Sequence, residues 1–312
     1  MTNLSEFTFL SSDGKTQLHG MLWEPEGVAV RAVLQICHGV AEHIARYDGF
    51  ARALNEQGIV VAGHDHLGHG KSLPDGGTPV YFGQGSTWNT VVDDIYILHQ
   101  RLKQRYPDVP LCIMGHSMGS FLTRTYLIRY PGTVKAAVIM GTGWQPQAAI
   151  TGGLALANAI AAVSGENATS ELVTELAFGS YNKLFAPNRT KVDWLSADES
   201  NVDDYIADPL CGADATVGLF RQMLRGLRFN QTPGNIDRMD KNAPILLIAG
   251  QDDPVGNMGA GVRRTHDAFK RTGVRDVTLK LYPGLRHEIL NEAAMRDTVY
   301  GDIGAWLDRV LG

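Results

Sequence analysis

The chain has 312 residues, of which 44% are hydrophobic and 20% are charged, and its formal net charge is -5. These values are typical of a globular protein, and the scattered lysines and arginines exclude the continuous basic surface that a nucleic-acid partner requires. The length permits either one large domain or a core that carries an inserted module.

The N-terminal residues and the cysteines indicate the cellular compartment. Residues 1–15 lack both a positively charged leading region and a long apolar run, so we expect no secretory signal and a cytoplasmic location. The three cysteines, Cys37, Cys112 and Cys211, make an odd count, and two of them lie in apolar, strand-like runs. This pattern favours reduced, buried thiols over a disulfide framework.

Strands and helices alternate along most of the chain. Residues 6–25 alternate polar and apolar side chains around a Ser-Asp-Gly turn, which predicts an antiparallel hairpin at the edge of a sheet. The patterns then predict strands at 32–37, 59–63, 111–114, 134–140, 244–250 and 277–282, helices at 47–57, 89–106 and 261–272, and a closing helix that ends at Leu311. We therefore predict an α/β fold with a mostly parallel central sheet flanked by helices.

The alternation fails between residues 144 and 235. This region has helical fragments but no convincing buried strand, so we predict a helical cap at 144–235 that interrupts a core made of residues 1–143 and 236–312. The longest apolar stretch, residues 148–163, is interrupted by Thr151 and Asn158. We interpret it as a surface or lid helix, because it is too short for a membrane span.

The segment Gly115-His116-Ser117-Met118-Gly119 joins a predicted strand to a predicted helix and matches the pattern G-x-S-x-G. A serine in such a turn projects its hydroxyl, and the flanking glycines let the turn close against neighbouring elements. The N-terminus of the following helix would then face any oxyanion that forms. We predict that Ser117 is a catalytic nucleophile; the alternative is an ordinary buried turn serine.

Two later residues supply the other groups that a serine nucleophile needs. Asp253 follows the strand predicted at 244–250, and His287 follows the strand at 277–282. Because the site of such a sheet lies beyond the carboxyl ends of its strands, we expect both residues to meet Ser117. Their order is that of the α/β hydrolases. Asp252 is the competing acid, and a packing role is the alternative for His287.

The loop after the strand at 32–37 begins with His38-Gly39-Val40. We predict that the backbone N–H groups of Val40 and Met118 form an oxyanion hole, because acyl transfer requires donors aimed at the developing charge. Gly39 would let a substrate approach the backbone closely; otherwise it is a plain turn glycine.

A metal-dependent hydrolase is the alternative hypothesis, because His64, His66 and His69 form the pattern H-x-H-x-x-H. Imidazoles at this spacing after a strand can converge on one metal ion. However, the acidic residue expected beside the third histidine is Gly68. We therefore predict no metal and expect these histidines to make structural hydrogen bonds, with a structural role also for Asp65.

Several blocks together resemble one family, the monoacylglycerol lipase and lysophospholipase group of α/β hydrolases. The blocks are His38-Gly39-Val40-Ala41-Glu42-His43 with Arg46-Tyr47, Asp65-His66-Leu67-Gly68-His69-Gly70-Lys71-Ser72, the serine motif, Gly250-Gln251-Asp252-Asp253-Pro254 and His287. The resemblance covers nearly the whole core. It implies a cofactor-free esterase that acts on single-chain glycerolipids, with a helical cap over an apolar acyl tunnel.

Four aromatic residues of the cap are candidates for lining an acyl site: Trp144, Phe178, Tyr181 and Phe220. The expected partner is a small-molecule ester or lipid. Transient contact of the cap with a membrane surface stays open, although residues 148–163 contain no lysine or arginine and so lack the basic face of an interfacial helix. The open alternatives are a short-chain carboxylesterase, a serine peptidase with an acidic pocket for a free amine, and a ligand-binding receptor on the same fold. The oligomeric state is not predicted.

Overall fold

The computed structural model describes residues 1–312, except for the side chains of Leu176 and Ala177. Its centre is one sheet of eight strands in the order β1-β2-β4-β3-β5-β6-β7-β8. The strands are β1 Thr2–Leu10, β2 Gln17–Pro25, β3 Ala32–Cys37, β4 Ile59–His64, β5 Leu111–His116, β6 Ala137–Met140, β7 Ile245–Gly250 and β8 Val277–Tyr282. β1 and β2 form the predicted antiparallel hairpin. The other six strands, β3 to β8, pair with one another in parallel. The predicted α/β class is confirmed.

Helices cover both faces of this sheet. They are α1 Asp48–Asn55, α2 Trp88–Arg105, α3 Met118–Arg129, α4 Gln147–Ser164, α5 Glu171–Thr174, α6 Ser180–Lys183, α7 Glu199–Ala207, α8 Val217–Asn230, α9 Pro233–Ile236, α10 Ala260–Arg271 and α11 Arg296–Leu311. α2 begins where Thr87 and Thr90 form a reciprocal capping box. Every residue of β3, β4, β5, β6 and β7 is buried, because apolar layers cover the sheet on both sides.

The parallel pairing determines where the polar side chains meet. β3, β5, β7 and β8 end at Cys37, His116, Gly250 and Tyr282. Because parallel strands share one carboxyl edge, the loops that follow them lie together there. These four loops carry Gly39 and Val40, Ser117, Asp253 and His287.

The segment between β6 and β7 contains residues 144–235, the predicted cap, and among the described residues it adds only an isolated bridge between Thr169 and Thr216. α8 joins this region to the core. A Cβ on Gly226 of α8 would come within 2.3 Å of the Trp88 ring, so only glycine permits this approach. The indole N–H of Trp88 donates to Thr125, which in turn donates to Asn230 at the end of α8.

α4 corrects the expectation that residues 148–163 are too short for a membrane span. The helix has 18 residues, and by length and composition alone it could cross a membrane, with 17% of those residues buried. The extension arises because Gln147 and Ser164 continue the helix, which ends where Gly165 adopts a positive φ of 86°. Only Ile150, Leu154 and Ala157 are buried, so one narrow face packs and the rest is at least partly exposed.

Candidate active site

Ser117 lies in a strained turn between β5 and α3, with φ 53° and ψ -120°. A non-glycine residue adopts such a backbone only where its surroundings enforce it. Here close packing of the backbone holds the turn. A Cβ on Gly119 would lie 2.0 Å from the carbonyl oxygen of Cys37, and a Cβ on Gly115 would lie 2.2 Å from the carbonyl oxygen of Gly119. The two glycines therefore let α3 start directly against β3.

His287 and Asp253 form a buried hydrogen-bonded pair. Nδ1 of His287 lies 3.0 Å from Oδ2 of Asp253, while the other carboxylate oxygen accepts the N–H of Val255 at 2.9 Å. Since the carboxylate can only accept, Nδ1 carries the proton and Nε2 is free to take another. The competing Asp252 is held through its backbone, which donates to the carbonyl of Leu285. The geometry thus brings Asp253, and not Asp252, to the histidine.

The loop that carries His287 is held by the cap. Arg286 donates to the carbonyl oxygens of Asp193 and Ser196 at 2.5 and 3.0 Å, and the N–H of Glu288 donates to Leu195 at 2.8 Å. The ring of Trp194 lies 5.1 Å from that of His287. Residues 193–196 of the cap therefore position the histidine loop and cover it.

The loop after β3 brings backbone donors next to the serine. A Cβ on Gly39 would lie 3.1 Å from Cβ of Ser117, so the loop and the serine are in close approach. The N–H of Gly39 is already bonded to Oε1 of Glu42 at 2.5 Å. Val40, like Ser117, lines the cavity beside the site. Met118 is the first residue of α3, so no carbonyl of that helix accepts its N–H. This N–H could therefore donate to an oxyanion beside Ser117, as predicted from the sequence.

His38 ties this loop to the loop after β4. Its Nδ1 donates to the carbonyl of Gly39 at 2.7 Å, and its Nε2 accepts the N–H of His66 at 2.9 Å. One nitrogen donating and the other accepting corresponds to the neutral ring. Burial agrees with this, because it lowers the pKa of His38 below the ordinary histidine value.

Behind the serine lies a buried ionic network that the sequence reasoning did not predict. Nδ1 of His116 lies 3.1 Å from Oε1 of Glu42, and Nε2 lies 3.2 Å from the carbonyl oxygen of His287. Both partners can only accept, so both ring nitrogens carry protons and His116 is an imidazolium. Burial by itself would lower the pKa of His116, but the hydrogen bond and charge of Glu42 raise it above the ordinary value.

Arg46 and Glu288 complete this network. The guanidinium of Arg46 binds both carboxylate oxygens of Glu288 at 2.7 Å and one oxygen of Glu42 at 3.0 Å. Burial opposes ionisation of Glu288, yet the charge of Arg46 holds its pKa below the ordinary value. Glu42, Arg46 and His116 all lie in the blocks that carry the family resemblance, and that membership was the only signal in the sequence.

The histidine cluster after β4 corrects one expectation. The ring nitrogens of His64 and His66 have no hydrogen-bond partner among the described residues, so the prediction of structural hydrogen bonds is wrong for these two. Their rings pack against each other edge to face instead, with 5.0 Å between the centroids of His64 and His66 and an angle of 89° between the rings, and the ring of His66 lies 4.2 Å from that of His38. Burial lowers the pKa of His64 to about 3, so the rings pack as neutral, apolar groups.

Asp65 has the structural role that we expected. It accepts the backbone N–H groups of Ile44 and Lys71 at 2.8 and 2.9 Å, and it pairs with His19 at 2.9 Å. These bonds link the loop after β4 to the hairpin at the sheet edge.

A cavity of about 880 Å³ extends from Ser117 beneath the cap. The four predicted aromatic residues, Trp144, Phe178, Tyr181 and Phe220, all line it. Gly39 does not, because its N–H turns towards Glu42 and its neighbour Val40 takes the lining position. The sequence reasoning missed the walls supplied by α4, by the second half of α8 and by the segment after β7, which include Ile150, Leu156, Leu224, Leu227, Val255 and Arg264.

The fold and the serine turn define the class. A sheet of this order, with a strained serine between β5 and α3, is that of the α/β hydrolases. Residues 28–294 match the family model described as serine aminopeptidase, S33, and the chain belongs to this family.

Relatives of similar length extend this result. The chain is 30% identical to a monoacylglycerol lipase of Mycolicibacterium smegmatis over 97% of this chain and 96% of that one. It is 26% identical to the human monoglyceride lipase, over 96% and 89% of the two chains. The structure of a thermostable carboxyl esterase from Bacillus coagulans, in complex with glycerol, superposes with a TM-score of 0.92 at 28% identity over the whole of both chains. The resemblance found in the sequence is confirmed.

Proposed function

We propose that this protein is a serine carboxylic-ester hydrolase that cleaves monoacylglycerols and related single-chain glycerolipids. The observation that carries the proposal is the cavity, which begins at Ser117 and is lined mainly by apolar side chains of the cap. Its volume of about 880 Å³ lies in the range of sites that enclose a whole small ligand. The lipase names of the relatives support the same substrate class.

The reaction proceeds through an acyl-enzyme. Nε2 of His287 takes the proton of the Ser117 hydroxyl as its oxygen attacks the ester carbonyl, and Asp253 stabilises the imidazolium that forms. The N–H groups of Val40 and Met118 bind the oxyanion. His287 then protonates the leaving glycerol, and in the second half it activates a water molecule that releases the fatty acid. This chemistry is carried by protein groups alone, so we propose no cofactor.

The cap interrupts the core at 144–235, and we propose that it selects the acyl chain. Burying one methylene group contributes about 0.8 kcal/mol, which corresponds to roughly a fourfold change in affinity. The specificity constant should therefore rise with each added methylene until the cavity is filled. A short-chain carboxylesterase would lack this dependence.

The family name raises the alternative of an aminopeptidase. Binding a free amine would require a carboxylate near the serine. Among the described residues that line the cavity none is aspartate or glutamate, and the charged one is Arg264. This lining disfavours a cationic substrate and supports a neutral or anionic head group. A receptor without catalysis is disfavoured by the hydrogen-bonded His287 and Asp253 beside a strained serine.

We also propose that the protein is cytoplasmic and meets lipid transiently through α4. This helix has no charged residue in its sequence, and the side chain of Val163 is 88% exposed. Ile150 and Leu156 of the same helix line the cavity, so a surface that meets lipid would continue into the acyl site. The attachment would be weak, because the helix lacks the basic face of an interfacial anchor.

The deciding experiment measures hydrolysis of monoacylglycerols and of p-nitrophenyl esters of increasing chain length. Wild type should cleave both, with a maximum at medium or long chains, and Ser117→Ala should lose turnover while still binding a monoacylglycerol. Ser164→Ala, which changes an exposed serine of the cap, is the matched control and should keep full activity. Cleavage confined to the shortest esters, or to aminoacyl amides, would overturn the lipase proposal.

A further inference from the structure

The cap also contacts the loop after β3 through Ala41, the residue that follows Val40. The hydroxyl of Tyr205 and the N–H of Gly212 both donate to the carbonyl oxygen of Ala41 at 3.0 Å. Ala41 has a φ of 53°, a left-handed conformation that these contacts help to hold. The cap segment 205–212 is thus docked on the loop that carries Val40.

Three potential metal ligands converge at this contact. They are Nε2 of His43, a carboxylate oxygen of Asp208 and Sγ of Cys211, and all lie within 4.8 Å of one another. Nε2 of His43 is 2.8 Å from Oδ2 of Asp208. No other group of three such ligands that meets this distance is found in the described part of the chain.

The local backbone explains the convergence. The N–H of Cys211 donates to the carbonyl of Asp208 at 3.0 Å, so a turn places the thiol on the same side as the carboxylate. The N–H of Leu210 occupies the other carboxylate oxygen, Oδ1, at 2.9 Å. Oδ2 is therefore the oxygen that faces His43. His43 comes from the loop after β3, so the three ligands span the contact between cap and core.

The site is accessible but held in place. The side chain of His43 is 10% exposed and that of Asp208 is 29% exposed, while Cys211 is half-buried. An ion could therefore enter from one side and keep a water molecule as a further ligand.

We propose that His43, Asp208 and Cys211 form a Zn²⁺ site that clamps the cap to the loop after β3, with water as the fourth ligand. The combination of nitrogen, oxygen and sulfur ligands suits Zn²⁺, whereas Mg²⁺ and Ca²⁺ prefer oxygen alone. Tetrahedral bonds of about 2.0–2.3 Å place the donors roughly 3.5 Å from one another. Nε2 of His43 and Oδ2 of Asp208, which are 2.8 Å apart, must therefore separate slightly, and Sγ of Cys211 must take the same spacing from both, by side-chain rotation. Nε2 of His43 donates to Oδ2 of Asp208 in the absence of the ion, so binding of Zn²⁺ to these two atoms moves that proton to Nδ1 or to solvent. Binding also releases the thiol proton of Cys211 to solvent.

The test is a calorimetric Zn²⁺ titration of chelator-treated protein, with Co²⁺ as a spectroscopic probe. We expect one equivalent of Zn²⁺ to bind, a sulfur-to-cobalt charge-transfer band to appear, and the Tm to rise by roughly 4 °C at a hundredfold excess over Kd. Cys211→Ser and His43→Gln should each weaken binding by at least about a hundredfold and abolish the band or shift it.

Two variants control for other thiols and imidazoles. Cys112→Ala removes a buried thiol elsewhere, and His266→Gln removes a histidine of α10; both should bind Zn²⁺ like wild type. The Ser117→Ala protein should also bind normally, which separates this site from the proposed hydrolysis. Absence of binding below about 100 μM, or binding that Cys211→Ser and His43→Gln leave unchanged, would overturn the proposal; should one variant not fold, the other decides.

Discussion

Oε1 of Glu42 accepts two hydrogen bonds, one from Nδ1 of His116 at 3.1 Å and one from the backbone N–H of Gly39 at 2.5 Å. His116 immediately precedes the proposed nucleophile, while Gly39 immediately precedes Val40. One buried carboxylate oxygen therefore positions the serine turn and the proposed oxyanion loop relative to each other. Because Nε2 of His116 also lies 3.2 Å from the carbonyl of His287, the same ring supports the loop of the proposed base.

We predict that Glu42→Gln destabilises the protein and lowers kcat together. The substitution leaves Arg46 and His116 short of a counter-charge in a buried site, and breaking such a pair typically costs about 3–5 kcal/mol. Urea unfolding and steady-state hydrolysis measure the two effects. Glu26→Gln, at an exposed turn, is the control and should match wild type in both. A Glu42→Gln protein with wild-type stability would show that the network is not ionic.

The charge of His116 predicts a pH dependence. Its pKa is raised in the folded protein, so its contribution to stability is fully present below the unfolded value of about 6.5 and is lost as the pH rises through the raised folded value. The free energy of unfolding of wild type minus that of His116→Gln should therefore be larger near pH ~5.5 than near pH ~8.5. Taking the difference between the two proteins cancels the contribution that the buried neutral histidines make to the pH dependence of the free energy of unfolding. A difference that grows with pH would mean that His116 is neutral.

The two neighbouring aspartates should behave very differently. Asp253→Asn keeps the shape but removes the carboxylate that holds Nδ1–H of His287, and the corresponding change in a serine protease lowers kcat about 10⁴-fold. Asp252→Asn should stay within a few-fold of wild type, since its role in the structure is a backbone bond to Leu285. Hydrolysis of one ester by both variants is the measurement, and comparable losses would contradict the assignment of Asp253.

Two glycines make a matched pair for packing. Gly119→Ala places a Cβ 2.0 Å from a backbone oxygen, so we expect loss of folding or of the serine turn, and of activity with it. Gly301→Ala lies in α11 with nothing within 4 Å, and it should stabilise the protein by roughly 0.5–1 kcal/mol. Thermal unfolding of the two variants distinguishes them, and a stable, active Gly119→Ala protein would contradict the geometry of the turn.

If α4 contacts lipid, substitutions on its exposed face should weaken binding to vesicles without changing the hydrolysis of a soluble ester. Ala159→Glu with Val163→Glu should reduce sedimentation with phosphatidylcholine vesicles several-fold, because both positions are exposed on an uncharged helix. Hydrolysis of a soluble short-chain p-nitrophenyl ester should stay unchanged. Equal vesicle binding by the variant and wild type would exclude α4 as the contact surface.

The sequence predicted the site best where local pattern and chain order carry the information. Strand β3 lies where the apolar run at 32–37 predicted it, because a buried parallel strand is a short apolar run with clear ends. Strand β8 also has its predicted bounds, 277–282, although it lies at the sheet edge and is only partly buried. The order of Ser117, Asp253 and His287 then followed from placing each after a strand. The choice of Asp253 over Asp252 was a preference until the hydrogen bond to His287 distinguished them.

The sequence by itself determined the class of the protein, the sheet and the order of the proposed catalytic side chains, since strand periodicity and turn chemistry are local properties of the chain. Only the tertiary structure decided four features of the site. The N–H of Gly39 donates to a carboxylate oxygen of Glu42, His116 is charged, the rings of His64 and His66 pack edge to face with no partner for their ring nitrogens among the described residues, and α4 forms a wall of the cavity. Each of these depends on groups far apart in the chain. Burial and charge act through distance in space, and sequence spacing does not report that distance.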